Sequence, residues 1–404
     1  MFIFFVKKYM NYIIFDTNRN YQNFLPLTYT RPVSELRIGI LTICEKWEKY
    51  LDSSISYMCK DYLKNKYKQT TLSDNILINS AILPDAHLAR EVLLLQTNTY
   101  LAKDNIIIAV RLDYEGVINF EKINFANLNY KQYSYEVSYI EHLWDIIEKN
   151  DQEIESDFML LTKNRDSLPV SPTNTLVNPD NIFIEEGAEV ECSVLNAKDG
   201  FIYIGKNALV MENTVIRGSL ALCDHSQLKV RTTIYGPVTV GPYSKLGGEI
   251  SKSVIMGYTN KAHDGFLGNS VIGYWCNMGA GTNNSNLKNN YDIVKLWNYR
   301  DKQFISTGLQ FCGLIMADHS KCGINTMFNT GTVVGVSCNI YGAGFPRNFI
   351  PSFSWGGTQG YTEYKFDKAI QTATRVMQRR NIQMTNEDIE ILRYVFDNRA
   401  TLEH

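Results

Sequence analysis

The stretch MADHSKCGINTMFNTGTVVGVSCNIYGAG, Met316 to Gly344, decides the fold. Met316, Cys322, Phe328, Val334 and Ile340 fall six residues apart, and Ser320, Thr326, Thr332, Cys338 and Gly344 stand four places after each. A strand repeats every two residues and a helix every 3.6, so a large apolar residue and a small one at a fixed six fit neither. They fit a coil with flat faces and tight corners, a solenoid in which each turn stacks on its neighbours. The same beat runs through Ile204, Val210 and Ile216, through Val240 and Leu246, and through Phe266, Ile272 and Met278, with Ser270, Cys276 and Thr282 following. Grooves recur along such a rod, and two rods side by side form long shared clefts.

Glycine usage marks the limits of the coil. Of 26 glycines only Gly39 and Gly116 precede Gly187, and the rest lie between Gly187 and Gly360, where sharp corners require positive φ. The expected domains are therefore 10–173, 180–360 and a helical tail, 361–404. In the first, Ile76 to Ile78 and Ile106 to Val110 read as buried strands. Ile40, Ile43, Cys44, Trp47 and Leu51 follow helical spacing, as do Leu88, Val92 and Leu95, and Val137, Ile140, Leu143, Trp144 and Ile147. Strands mixed with amphipathic helices predict an α/β layered domain. Leu168 to Asn178, with its prolines, reads as a linker. The polar stretch from Asn283 to Ser306 breaks the beat and is expected to loop outward. After Gly360, Thr385 and Asp388 form a capping box ahead of Ile389, Leu392, Val395 and Phe396.

Composition excludes several classes. A net charge of −2 offers no basic field for polymeric nucleic acid. The eight cysteines contain no CxxC pair, and several occupy packing positions of the repeat, so reduced thiols in a cytoplasmic protein are expected rather than a zinc site. The apolar run Phe2 to Val6, followed by Lys7 and Lys8, is too short and in the wrong order for a signal peptide. No stretch is long enough to span a bilayer, and no membrane partner is expected. Met10 begins a plausible domain, which leaves the first nine residues as an expected extension.

The run NKAHDGFLG (Asn260–Gly268), then VIG (Val271–Gly273), then NMGAGT (Asn277–Thr282), resembles the acetyltransferase half of the GlmU-type bifunctional enzymes. These join N-acetylglucosamine-1-phosphate uridylyltransferase to glucosamine-1-phosphate acetyltransferase. The resemblance covers roughly residues 182–345. It implies a left-handed parallel β-helix of hexapeptide repeats that forms a homotrimer and binds acetyl-CoA between subunits. It places His263 as the general base and Asn277 on the sugar. An imidazole, with an ordinary pKa of about 6.5, suits the removal of a proton from an attacking amine. Phe266 stands where the family carries a tyrosine and lacks its hydroxyl. Lys252 and Arg231 are candidate cations for the sugar phosphate, although Lys252 is one place off the family position and Arg231 needs a gap. Lys288 and Lys295 lie near another family lysine. His319 points outward on the beat, and His225 matches no motif.

The order PLT (Leu25–Thr28), then TRP (Thr30–Pro32), resembles sugar-1-phosphate nucleotidyltransferases, which are α/β and Rossmann-like. Their glycine-rich phosphate loop is absent here, and Val33 replaces a family lysine. Arg31 and Arg37 remain as cations for a nucleoside triphosphate, with Asp16 beside them. The bland alternative for the arginines is a structural ion-pair cluster with Glu35. Mg2+ is expected with the nucleotide, with Asp16 and Asp85 as candidate ligands, but the sequence fixes no metal site. The reading implied is a bifunctional transferase in nucleotide-sugar synthesis that acetylates an amino-sugar 1-phosphate and transfers a nucleotidyl group from an NTP. The alternatives are nucleotidyl transfer alone, with the β-helix trimerising and sensing product, and a catalytically silent binding trimer.

Overall fold

The computed structural model describes residues 10–403, so the expected extension before Met10 lies outside the described residues. The described residues divide into two compact units: residues 10–22, 31–36 and 41–141 form one, and residues 23–30, 37–40 and 142–403 the other.

The first unit is a mixed α/β layer. Its sheet comprises β1 (Asn11–Phe15), β2 (Ile55–Met58), β3 (Asp74–Asn79), β4 (Thr99–Lys103), β5 (Ile106–Asp113) and β6 (Asn129–Gln132), in the order β2-β1-β3-β5-β4-β6. β1 runs parallel to both neighbours, whereas β5 is antiparallel to β3 and β4. Ile13, Phe15, Leu77, Val110 and Leu112 pack on one face, as expected of apolar strands buried in a layer. The helix Ile43–Leu51 starts where Thr42 and Glu45 exchange hydrogen bonds: the Thr42 amide donates to Glu45 Oε2 at 2.7 Å and the Glu45 amide to Thr42 Oγ1 at 3.2 Å. Its apolar stripe buries Ile43, Cys44, Trp47 and Leu51, four of the five residues whose spacing predicted it, whereas Ile40 lies before the helix.

The second unit is dominated by a three-sided parallel β-coil. Its faces carry six, nine and ten strands. Strands on each face pair in parallel with those of the next turn, for example Ile202, Tyr203 and Ile204 with Leu220, Ala221 and Leu222, except that Gly360–Glu363 ends the ten-stranded face antiparallel to Ser354–Gly357. One column of inward side chains runs Val190, Val210, Leu228, Leu246, Lys261, Met278, Cys322 and Ile340, every member nearly solvent-free. All but Lys261 are apolar or a thiol, and burying each apolar side chain contributes about 1.5–3 kcal/mol.

The beat of six is not kept throughout. The inward residues after Leu246 are Ile250, Ile255, Lys261, Leu267 and Ile272, so the side from Leu246 to Ile250 is two residues shorter and the sides from Ile250 to Ile255 and from Leu267 to Ile272 are one residue shorter. This moves the inward position from Phe266, where the beat of six puts it, to Leu267, and Phe266 is left half-exposed. The shortening follows Gly247 and Gly248, where a Cβ on Gly248 would stand 2.5 Å from the Gly265 carbonyl, so successive turns approach too closely there for any side chain.

One corner carries rings at left-handed backbone: His225, Tyr243, Tyr258, Trp275 and His319 have φ between 54° and 63°. Their rings stack in sequence, with centroids 4.6, 4.9, 4.2 and 6.4 Å apart. Left-handed backbone is costly for bulky residues. Ring stacking along the corner offsets that cost. The stretch from Asn283 to Ser306 does not simply loop out. Lys295–Asn298 and Gln303–Ser306 form an antiparallel hairpin, Trp297 stacks on Phe349, and Tyr299 is buried against Tyr29. Its aromatic content, which the polar composition obscures, gives it a core of its own. The chain then forms the helices Phe366–Gln378 and Asn386–Glu403, the second opened by the reciprocal Thr385–Asp388 box.

Candidate functional site

The strand pair Asn260–Lys261 and Asn277–Met278 lies on one face of the coil, with Asn260 directly beside Asn277. Alternation puts Lys261 and Met278 inward and both asparagines outward. After Lys261 the chain turns the corner at Ala262–Gly265 and enters the strand Phe266–Gly268. That corner is held from several sides. The Lys261 ammonium donates to the carbonyls of Gly247 at 3.1 Å, His263 at 3.1 Å and Gly265 at 2.8 Å. The Gly281 amide donates to the Asp264 carbonyl, and the Phe266 amide to Asn283 Oδ1. Gly265 sits at φ +119°, and a Cβ there would lie 2.1 Å from the Thr282 carbonyl, so no other residue fits. A clamped backbone thus presents the His263 side chain to solvent.

Burial pushes the Lys261 ammonium down to about 8, and the nearby Asp264 charge opposes that shift. Carbonyl dipoles also favour the charged form. At neutral pH it is an ammonium.

His263 and Asn277 open into one groove of about 660 Å³. Tyr258 and Asn260 also line it, as do Lys245, Lys321, Arg379 and Arg380. Arg380 Nη2 donates to Asn260 Oδ1 at 2.9 Å. The structure therefore brings together the two residues that carry the sequence motif. It does not add the other expected sugar-phosphate ligands: Lys252, Arg231 and Phe266 are not among the lining residues. Arg231 and Lys252 are exposed at left-handed corners, with φ of 63° and 42°. Lys288 Nζ donates to the Ile293 carbonyl at 2.8 Å, and Lys295 begins the inserted hairpin. His319 stacks on Trp275 rather than lining the groove, and His225 ends the ring stack.

In the first unit, Asp16 follows β1. Its carboxylate accepts from the Val33 amide at 3.2 Å, which ties it to the segment that carries Arg31. Burial pushes Asp16 up to about 7, opposed by the Ser80 hydroxyl, the Val33 amide and the Lys60 charge. Arg31 is buried. Arg37 is buried in the other unit, where its guanidinium donates to the Ile40 carbonyl. Asp85 caps the helix Ala86–Leu93, accepting from the Leu88 amide at 2.7 Å. Among the described residues no group of three or more His, Cys, Asp or Glu side chains is placed to hold a metal ion. No helix among them is long and apolar enough to cross a membrane.

The chain thus carries an α/β domain followed by a three-sided parallel β-coil, with an imidazole and a carboxamide in one groove. The known proteins it is similar to are transferases. The family described as sugar nucleotidyl transferase matches residues 12–166. The bifunctional sugar-1-phosphate nucleotidylyltransferase/acetyltransferase of Sulfurisphaera tokodaii is 24% identical over 379 residues, covering 78% of this chain and 92% of that protein. The bifunctional protein GlmU of Methanocaldococcus jannaschii is 34% identical over 112 residues, which is 26% of this chain and 27% of the relative. GlmU of Rippkaea orientalis is 29% identical over 177 residues, 38% of this chain and 34% of the relative. Among solved structures, LpxA of Bacteroides fragilis, a UDP-N-acetylglucosamine acyltransferase, is 13% identical, with 56% of this chain and 96% of that chain covered at a TM-score of 0.29.

Proposed function

We propose that this protein is a bifunctional transferase of nucleotide-sugar synthesis, which acetylates an amino-sugar 1-phosphate from acetyl-CoA in the coil and transfers a nucleotidyl group from an NTP to the sugar 1-phosphate in the first domain. The observation that carries the reading is the shared groove of His263 and Asn277, two motif residues 14 positions apart in sequence that line one cavity. Similarity to the Sulfurisphaera protein over most of both chains supports the pairing of activities.

In the acyl step, His263 accepts the proton released as the sugar amine attacks the thioester carbonyl. The carbon–nitrogen bond forms, the carbon–sulfur bond breaks, and the thiolate leaves as CoA after protonation. Asn277 holds a sugar hydroxyl or the substituent beside the amine. Phe266 packs without donating. Lys252 and Arg231, both exposed, act on the sugar phosphate only through a neighbouring copy, which accords with a homotrimer whose clefts lie between coils. In the first domain, Arg31 neutralises triphosphate charge. Asp16 is the carboxylate that would meet Mg2+, which would enter on the nucleotide phosphates and screen their charge. All eight cysteines are free, seven of them at least partly shielded from solvent, which accords with a cytoplasmic setting.

Incubation of the full chain with acetyl-CoA, glucosamine 1-phosphate and UTP tests the reading. Release of free thiol and of pyrophosphate, each dependent on the sugar phosphate, is expected. Pyrophosphate without thiol would remove the acetyl half, and thiol without pyrophosphate the nucleotidyl half.

A further inference from the structure

The helix Phe366–Gln378 delivers Arg379 and Arg380 to the groove, where they meet Lys245 and Lys321 on the coil. Four cations thus gather in one cavity, and none of its lining residues is an aspartate or glutamate. The hydrogen-bond partners seen are neutral: Arg380 donates to Asn260, and Lys321 Nζ to the His319 carbonyl at 2.8 Å. Burial lowers Lys245 from its usual range, and Arg380, Lys229 and Arg379 lower it further. Burial and then Arg379 lower Arg380 in the same way. Like charges held together in partial burial raise the free energy of the ligand-free chain. An anion entering the groove relieves that repulsion.

We propose that Lys245, Lys321, Arg379 and Arg380 form a subsite for the phosphate groups of a ligand whose reacting end lies beside His263. The sequence motif contains none of the four. The identity of the reacting end rests on the acetyl-transfer reading, whereas phosphate binding needs no turnover. Guanidinium forks suit phosphate oxygens, and two adjacent arginines with two lysines exceed what one phosphate monoester of about −1.5 to −2 charge requires. Coenzyme A, with a diphosphate bridge and a separate monoester, matches the set more fully than a sugar 1-phosphate does.

Isothermal titration of the full-length protein with CoA, 3′-dephospho-CoA and glucosamine 1-phosphate decides the matter. The double variant Arg379→Gln/Arg380→Gln, whose positions end a helix near solvent, is expected to bind CoA about tenfold weaker or worse, with a smaller loss for 3′-dephospho-CoA. Lys245→Gln, on a different element, is expected to weaken the same ligand. A loss for glucosamine 1-phosphate instead of CoA keeps the subsite and assigns it to the sugar. Unchanged binding of all three ligands by the double variant and by Lys245→Gln overturns it. Thermal melting separates a ligand site from a structural one, because relief of repulsion predicts that the ligand-free double variant melts at or above wild type. A lower melting temperature together with unchanged binding marks a structural role and overturns the proposal. His263→Ala is expected to bind CoA as wild type does. Should the wild type prove inactive in acetyl transfer while the double variant loses CoA, the acetyl reading fails and the subsite stands.

Discussion

Replacing Lys261 by Met asks whether the place of the imidazole depends on a charge buried in the coil. Its ammonium occupies an inward position that every other turn of the column fills with an apolar side chain or a thiol, and it holds the carbonyls of Gly247, His263 and Gly265. A hydrogen bond involving a charged partner contributes about 1.5–3 kcal/mol, so three sum to roughly 5–9 kcal/mol before desolvation. Withdrawing an ammonium from water costs several kcal/mol, so Lys261→Met is expected to change global stability by only about 1–2 kcal/mol in either direction. Locally nothing replaces the lost bonds. Losing even one at the low end, about 1.5 kcal/mol, raises the population of a displaced His263–Gly265 backbone about tenfold. Amide exchange in that segment is therefore expected to quicken about tenfold or more. Acetyl transfer is expected to lose a similar factor in kcat, with KM for acetyl-CoA changed by less than about twofold.

The pH dependence gives the same test a sign. The folded value is depressed, so between about 8 and the ordinary 10.5 the unfolded chain keeps a proton that the folded chain has released, and stability rises with pH over that window in wild type relative to Lys261→Met. Activity moves the other way, falling as the proton that pins the loop departs. An exchange rate, kcat and alkaline limb all matching wild type would mean that the buried ammonium does not hold the loop.

Asp16 is raised to about 7, so the unfolded chain ionises first as pH climbs from the ordinary 3.8, and stability falls between 3.8 and about 7. Asp16→Asn is expected to melt with wild type near pH 3 and above it at pH 8 in a pH series of thermal scans, while losing nucleotidyl transfer. Glu403 is fully buried, is raised to about 7 by burial, and accepts from the Ser352 amide at 2.9 Å and its hydroxyl at 2.6 Å. Glu403→Gln is expected to hold or gain stability above pH 7, whereas Glu403→Ala loses about 1–3 kcal/mol in chemical denaturation by stripping Ser352 of its acceptor. A Cβ on Gly241 would lie 1.9 Å from the Met256 carbonyl, so Gly241→Ala is expected to cost about 1–3 kcal/mol or more, read as a lowered denaturation midpoint.

The coil was legible because each of its turns obeys a local rule: Met316, Cys322, Phe328, Val334 and Ile340 declare the period within one short stretch. The slip at Leu267 was not, since the side from Leu267 to Ile272 is one residue short while Phe266, Ile272 and Met278 keep an unbroken beat of six in the sequence. His263 and Asn277 were found through their flanking motifs. Lys245 and Lys321 carried a weaker signal, each standing just before an inward residue, Leu246 or Cys322, in the same outward column as Asn260 and Asn277. Arg379 and Arg380 lie about 115 residues beyond His263 and reach the groove only because the helix before them packs back, which no spacing rule reveals. Lys261 was hidden for another reason: a lysine in a strand reads as solvated until its neighbours in the column show that its alternation points inward.

Acetyl transfer in the coil depends on the imidazole of His263. Single-turnover acetyl transfer to glucosamine 1-phosphate by His263→Ala, with CoA affinity measured on the same preparation, tests it most directly. A rate about 100-fold or more below wild type with CoA binding unchanged is expected, since general-base catalysis contributes about 10²–10⁴-fold. A rate equal to that of wild type would contradict it.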